Sequence, residues 1–419
     1  MPALSGPLLC PPCGPWQRRW PPDGTLRADQ PGSFDASGYE LGPLLHGRPT
    51  LRRQPASPTT EPSDGVNYHV RALVFDKAGN LYVGGIFSQA GGVPANAVAK
   101  WNGKSWSPLG KGLTYSGGSV GDVNALCLDG AGNLYAGGKF TQAGEVPAGN
   151  VARWDGTAWH ALGEGCGGTV RALLADAQGT LYMGGDFTRA GGQALLRIAR
   201  WDGTAWQAVG NGLGGSVWAL ALDGKGLLYA GGNIRVGEGG AYSTVACWNG
   251  TTWSGVGSDF GNHPNALCID AAGNLYAGGM VEYVGKHKYS VARWDGKAWS
   301  GLDNGSRSAV FALATDAAGA LYAGGDFTKE EGATASFLAR WNGTAWQLVG
   351  SNLTRRVAAL AVDQAGTLYA GGQFYRQSGA PGNFIARWNG TAWLPLETVV
   401  TPPVRAARPA TQARPAGRR

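Results

Sequence analysis

The chain has 419 residues, of which 71 are glycine and only 15% are charged, with a formal net charge of +7. Glycine at every third position, which a collagen helix requires, is absent, and no apolar run approaches the ~20 residues that cross a bilayer as a helix. Glycine combined with 17 tryptophans and 14 tyrosines points instead to many short strands joined by tight turns.

Residues 1–69 read as a low-complexity or loosely attached segment in which six arginines balance six acids. Their opening, MPALSGPLLCPPCGPWQRRW, has too short an apolar stretch and too much proline for a secretory leader. CPPC at 10–13 has redox spacing but no thioredoxin-like context, so it reads as incidental.

From Val70 the sequence repeats. VRALVFDKAGNLYVGG opens at Val70, and its variants open at Val123, Val170, Val217, Pro264, Val310 and Val357, spaced by 47 residues except for one step of 53 and one of 46. Each unit closes on a paired-tryptophan phrase such as RWDGTAW at 153–159, and these slots hold fourteen of the 17 tryptophans. Four short strands are expected per unit: an apolar first strand, the LYAGG run, the VARW run, and the strand after the second tryptophan. Asp-x-x-Gly, as in Asp76 to Gly79, suits a type I turn between strands one and two. Asn-Gly or Asp-Gly marks a hairpin between strands three and four. A period of 40–50 residues built of four strands is the mark of a propeller blade. The expectation is therefore a seven-bladed β-propeller over 70–396, with the tryptophans as core between blades and Ala72 and its counterparts filling the crowded axis. Open edges invite pairing, so a strand from YELGPL or PTLRRQ, within 39–54, is a candidate to extend a blade.

The order of apolar strand, glycine pair and paired aromatics resembles the kelch repeat, and with it the galactose-oxidase-type propellers common in bacterial secreted and surface proteins. It is also similar to the repeat of fungal cortical cell-polarity markers. The resemblance covers 70–396 and implies an extracellular or cell-surface location. It is specific for architecture and says little about activity, because propellers carry unrelated functions.

In such a meander, connections one–two and three–four share one face and are nearly invariant here. Connections two–three and the inter-blade links share the other face and carry every length change, so a ligand site is expected there. Blades four and five depart most, with NIRVGEGGAYS, MVEYVGKHKYS and GSDFGNHP in place of the common phrases. These bring Tyr242, Phe260, His263, Glu282, Tyr283, His287 and Tyr289 to one sector of that face as candidate ligand contacts. Trp218 and Arg171 join them from the slot at the channel mouth that holds Arg71, Asn124, Arg171, Trp218, Asn265, Phe311 and Ala358. Aromatics beside amides suit a glycan or a peptide.

Enzymatic chemistry finds less support. A galactose-oxidase-type copper site, as the resemblance would imply, needs two histidines, tyrosines and a Cys–Tyr link. Only His263 and His287 share the sector and no cysteine accompanies them, so no metal, cofactor or catalytic residue is expected. A carbohydrate-active oxidase or lyase using His263, Glu282 and His287 is the alternative reading. Cys127 and Cys268 share a small apolar slot of the first strand. Residues 397–419 hold five arginines against Glu397, a net +4 in a Pro/Arg-rich segment expected to be a solvated, disordered tail rather than a nucleic-acid site. The sequence thus reads as a monomeric, non-catalytic binding or scaffold module for a glycan, protein or peptide, with no membrane span.

Overall fold

The computed structural model describes residues 64–236, 242–257, 263–279, 289–302, 309–326, 337–350, 352–375 and 382–396, together with the backbone of Tyr39–Leu45 and Arg48–Arg53. The chain divides into two compact units, Met1–Pro62 and Ser63–Arg419. In the first, Tyr39–Leu45 and Arg48–Arg53 pair antiparallel with each other as a two-stranded sheet. Each of the two runs finds its partner across a two-residue connection, which costs little loop-closure entropy.

The second unit contains seven four-stranded antiparallel sheets, each with its strands in chain order. Blade 1 is Val70–Phe75, Leu81–Gly85, Val98–Trp101 and Trp106–Pro108. The first strands of blades 2 to 7 are Asp122–Leu128, Val170–Ala175, Gly214–Leu222, Pro264–Ile269, Val310–Thr315 and Val357–Val362. Consecutive first strands are neighbours, and Val357–Val362 lies against Val70–Phe75, so the ring closes around the first strands as a β-propeller.

The turn chemistry follows the sequence. Asp76 Oδ1 accepts the backbone N–H groups of Ala78 and Asn80 at 2.9 and 2.8 Å, and Gly79 N–H reaches Asp76 O at 3.0 Å. At the other turn, Asp155 Oδ1 accepts from Thr157 and Ala158, both at 2.8 Å. Each turn thereby satisfies its own backbone donors, and the meander needs no partner to form them.

The glycine pair does more than end a strand. A Cβ on Gly137 would lie 2.4 Å from Val170 Cγ1, and one on Gly371 would lie 2.4 Å from Val70 Cγ1. The first glycine of each pair thus leaves the space that the next blade's opening residue fills, a valine everywhere but Pro264 of blade 5, including across the final seam.

The tryptophans pack as predicted. Within each pair the rings lie 5.3 to 5.5 Å apart, tilted, and the second tryptophan also donates across the seam. Trp159 Nε1 reaches Leu109 O at 2.8 Å and Trp206 Nε1 reaches Leu162 O at 2.8 Å. Trp253, Trp299 and Trp393 do the same to Val209, Val256 and Val349 at 2.8 to 2.9 Å. Trp106 closes the ring on Leu396 O at 3.4 Å. Residues 64–67, ahead of the first repeat, also tie to blade 7, with Val66 N–H on Asn383 O at 3.2 Å and Asn383 Nδ2 on Asp64 Oδ1 at 3.1 Å.

Three features lie beyond the sequence reading. The two–three connections of blades 1 to 3 form small ribbons, such as Gln89–Ala90 with Val93–Pro94. In blade 4, the phrase read as a variant loop partly continues the hairpin: Leu228–Arg235 and Tyr242–Trp248 pair out to Arg235 and Tyr242. Finally, all seven first strands carry a β-bulge at the residue after the one that opens the repeat, for example between Val70 and Ala72.

Candidate functional site at the channel mouth

The bulge positions are the slot that the sequence placed at the channel mouth: Arg71, Asn124, Arg171, Trp218, Asn265, Phe311 and Ala358. A bulge re-aims one side chain without disturbing the ladder on either side of it. Most of these side chains reach across to the next blade. Arg71 donates to Asn124 Oδ1 at 2.6 Å and pairs with Asp122 at 3.0 Å. Asn124 and Asn265 donate to the carbonyls of Val170 and Val310, each at 3.0 Å. Trp218 meets His263 edge to face at 5.4 Å. The Phe311 ring lies under the Arg356 guanidinium at 4.2 Å, and Arg356 also pairs with Asp326 at 2.8 Å. Arg171 grips Asp186 of its own blade at 2.7 Å.

The electrostatics of this rim are mixed. Burial pushes the Asp122 carboxyl above its usual range, against the pull of Arg71, Lys139 and Arg171. Asp186 is also penalised by burial, but hydrogen bonds from Arg171 and Ser216 outweigh that and hold it below the usual range. His69 is held toward its neutral form, first by burial and then by the charges of Arg71 and Arg356.

Only a methyl group stands at the bulge of blade 7, and an aromatic platform occupies the neighbouring seam with blade 1. Tyr68 stacks on His69 at 3.9 Å, and both lie against Phe384, at 6.0 and 5.7 Å. Phe384 stacks in turn with Tyr375 at 6.1 Å, and the Arg355 guanidinium lies 5.1 Å over the Tyr375 ring. Tyr68 is 48% exposed. Phe384 sits at φ 61°, the left-handed region, where the equivalent residues of blades 1 to 3 are Ala97, Asn150 and Arg197. A bulky aromatic is an outlier there, and such strain collects where function requires it. Tyr68, His69, Tyr375 and Phe384 come from inter-blade and two–three connections, on the face that the sequence favoured but outside the sector that it named. The signal was the aromatic content of VNYHV at 66–70, QFYR at 373–376 and GNFI at 382–385, at the two ends of the array; only ring closure makes them neighbours.

Of the sequence-predicted contacts, Trp218 and His263 are brought together. Arg171 is engaged with Asp186, and Tyr289 lies so close over the backbone of Gly301 that a Cβ there would fall 2.0 Å from its ring, which makes it a packing residue. Tyr242 lies in the outer part of the blade 4 hairpin. Phe260, Glu282, Tyr283 and His287 lie outside the described residues. Among the described residues no cluster of three His, Cys, Asp or Glu could hold a metal ion, and no helix is long and apolar enough to cross a membrane.

No known family and no curated protein matches the chain in sequence. Solved structures do match. The extracellular domain of the hybrid two-component system BT4673 from B. thetaiotaomicron superposes with a TM-score of 0.51 at 14% identity, covering 78% of this chain and 39% of that one. The chain therefore spans about two fifths of that structure's length. YCF48 bound to D1 peptide superposes with a TM-score of 0.50 at 17% identity, over 74% of this chain and 92% of the other. The WD40 β-propeller domain of Doa1 gives 0.50 at 13% identity, over 74% and 92%. At these identities the likeness establishes the β-propeller fold.

Proposed function

We propose that this chain is a monomeric, non-catalytic, kelch-like recognition module that binds a peptide segment on its variable-loop face, outside the cell or at its surface. The observation that carries the reading is the platform of Tyr68, His69, Phe384 and Tyr375 with Arg355 at its end. Tyrosine and arginine are the residues that dominate protein-recognition hot spots, because rigid rings bury much area at little entropic cost. Arg355 makes no ion pair among the described residues, so its charge is available to a partner. The kelch-like reading rests on the glycine pair and the paired aromatics, and a propeller of the same fold is solved with a peptide bound. The extracellular placement rests on the sequence resemblance.

The test is a peptide- and glycan-array screen of the full chain against Phe384→Gly and Trp218→Ala variants. Glycine suits a φ of 61°, so Phe384→Gly removes the ring while relaxing the backbone, and the fold persists. Peptide hits that weaken by about tenfold or more in Phe384→Gly support the reading. Hits that are all glycans, or that weaken only in Trp218→Ala, overturn it. Turnover of a carbohydrate hit would favour the oxidase or lyase alternative.

A further inference from the structure

The seam between blades 5 and 6 departs from the others. Trp346 Nε1 is buried with no acceptor among the described residues, whereas the other six second tryptophans donate to the preceding blade. The sequence supplies a cause. The residue after the acceptor is Gly110, Gly163, Gly210, Gly257 or Gly350 in five seams, always at positive φ. A Cβ on Gly257 or Gly350 would lie 2.8 Å from the partner tryptophan's Cδ1. After Leu302 comes Asp303, and after Leu396 comes Glu397, where the corresponding bond is the longest, 3.4 Å.

A second departure adjoins the first. Ala320 stands where blades 1, 2 and 5 have Asn80, Asn133 and Asn274, where blades 3 and 7 have Thr180 and Thr367, and where blade 4 has Leu227. A cleft of about 380 Å³ lies here on the tight-turn face, lined by Tyr276, Arg293, Leu302, Ala320, Arg340 and Trp341 among others. Arg293 donates to the Asn274 amide oxygen at 2.8 Å, and Arg340 lies 6.0 Å over the Tyr322 ring. Neither guanidinium is in an ion pair among the described residues.

We infer that this cleft binds a carboxylate. Two guanidinium groups in no ion pair among the described residues, beside the Trp341 indole, give the cleft a lining rich in cationic donors. Such a surface is completed by an acceptor-rich anion, and guanidinium matches the carboxylate fork. The volume suits a group of about a dozen non-hydrogen atoms or fewer, either a free organic acid or the acidic side chain of a docking peptide.

The experiment is isothermal titration of the full chain with benzoate, with end-blocked Gly-Glu-Gly, and with neutral benzamide, at low salt. Two variants accompany it: Arg340→Gln removes a charge, and Ala320→Leu fills the cleft with the residue that blade 4 carries in that slot. Binding of benzoate at about 1 mM or tighter is expected, weakened about tenfold or more in both variants, with benzamide weaker still. Benzoate binding alone assigns the cleft to a free acid; binding of the peptide as well assigns it to an acidic side chain. Carboxylates that bind no better than benzamide, or that bind Ala320→Leu unchanged, overturn the inference. Phe384→Gly leaves carboxylate binding intact here, which separates this site from the aromatic platform.

Discussion

Trp206 donates its indole N–H to the carbonyl oxygen of Leu162 at 2.8 Å, from one blade to the blade before it. Both groups are buried, so losing the donor strands an acceptor away from water. Trp206→Phe is expected to lower stability by about 1–3 kcal/mol. Trp346→Phe removes a donor that has no acceptor among the described residues, and should cost at least ~1 kcal/mol less. Urea midpoints of the two variants measured side by side test this; equal losses would show that ring volume, not the hydrogen bond, sets the cost.

Asp303→Gly restores the residue that five seams share. Its expected effect is a rise of a few degrees in the unfolding temperature, equivalent to about 1 kcal/mol. The gain should vanish in a Trp346→Phe background, because the indole is what the repositioned carbonyl would meet. A double-mutant cycle by scanning calorimetry measures that coupling.

The hairpin aspartates make the fold sensitive to acid. Backbone N–H groups of Ala158 and Ala205, and those of Thr157 and Thr204, hold Asp155 and Asp202 far below the usual carboxylate range, and Asp295 is lowered in the same way by Ala298 and Lys297. A carboxylate with a depressed folded-state pKa contributes stability that is present above its unfolded value of about 4 and is lost as the pH falls below it. Blades 1, 4, 6 and 7 carry Asn102, Asn249, Asn342 and Asn389 in this place, with the same backbone bonds at 2.7 to 2.9 Å. The triple change of Asp155, Asp202 and Asp295 to Asn should therefore flatten the loss of stability between pH 4 and pH 2 while leaving pH 7 nearly unaltered, which thermal melts across that range would show.

Three of the four cysteines among the described residues, Cys127, Cys166 and Cys268, are expected to be inert. Burial pushes the thiols of Cys127 and Cys268 strongly upward and that of Cys166 to about 12. The thiolate is the reactive form, so native protein at pH 8 should leave all three unmodified by iodoacetamide while denatured protein reacts at once. Peptide mapping by mass spectrometry resolves them, and rapid native labelling of Cys127 would mean that blade 2 opens locally.

What sequence could show was whatever is decided over a few residues. The aspartate turns, the hairpins and the tryptophan pairs each satisfy themselves locally, so their spacing was enough to place every blade. The glycine pair was legible as a strand end but not as the space for Val170 or Val70, because that requires the next blade to be in position. The bulge at Arg71 or Trp218 left no mark, since one unpaired residue does not disturb an alternating pattern short enough to read either way. The blade 4 phrase looked like a loop because its glycines mask the continued pairing of Arg235 with Tyr242. The platform of Tyr68 and Phe384 was out of reach for a plainer reason: its residues come from the two ends of the array and meet only when the ring is complete.

The seven bulges have a consequence for how such a protein can change. A side chain outside the ladder can be exchanged without altering register, and the seven positions already hold residues from alanine to tryptophan. The rim is thus a set of separately adjustable settings on a fixed frame, and one ring could acquire new partners by point substitution alone, leaving its folding code untouched.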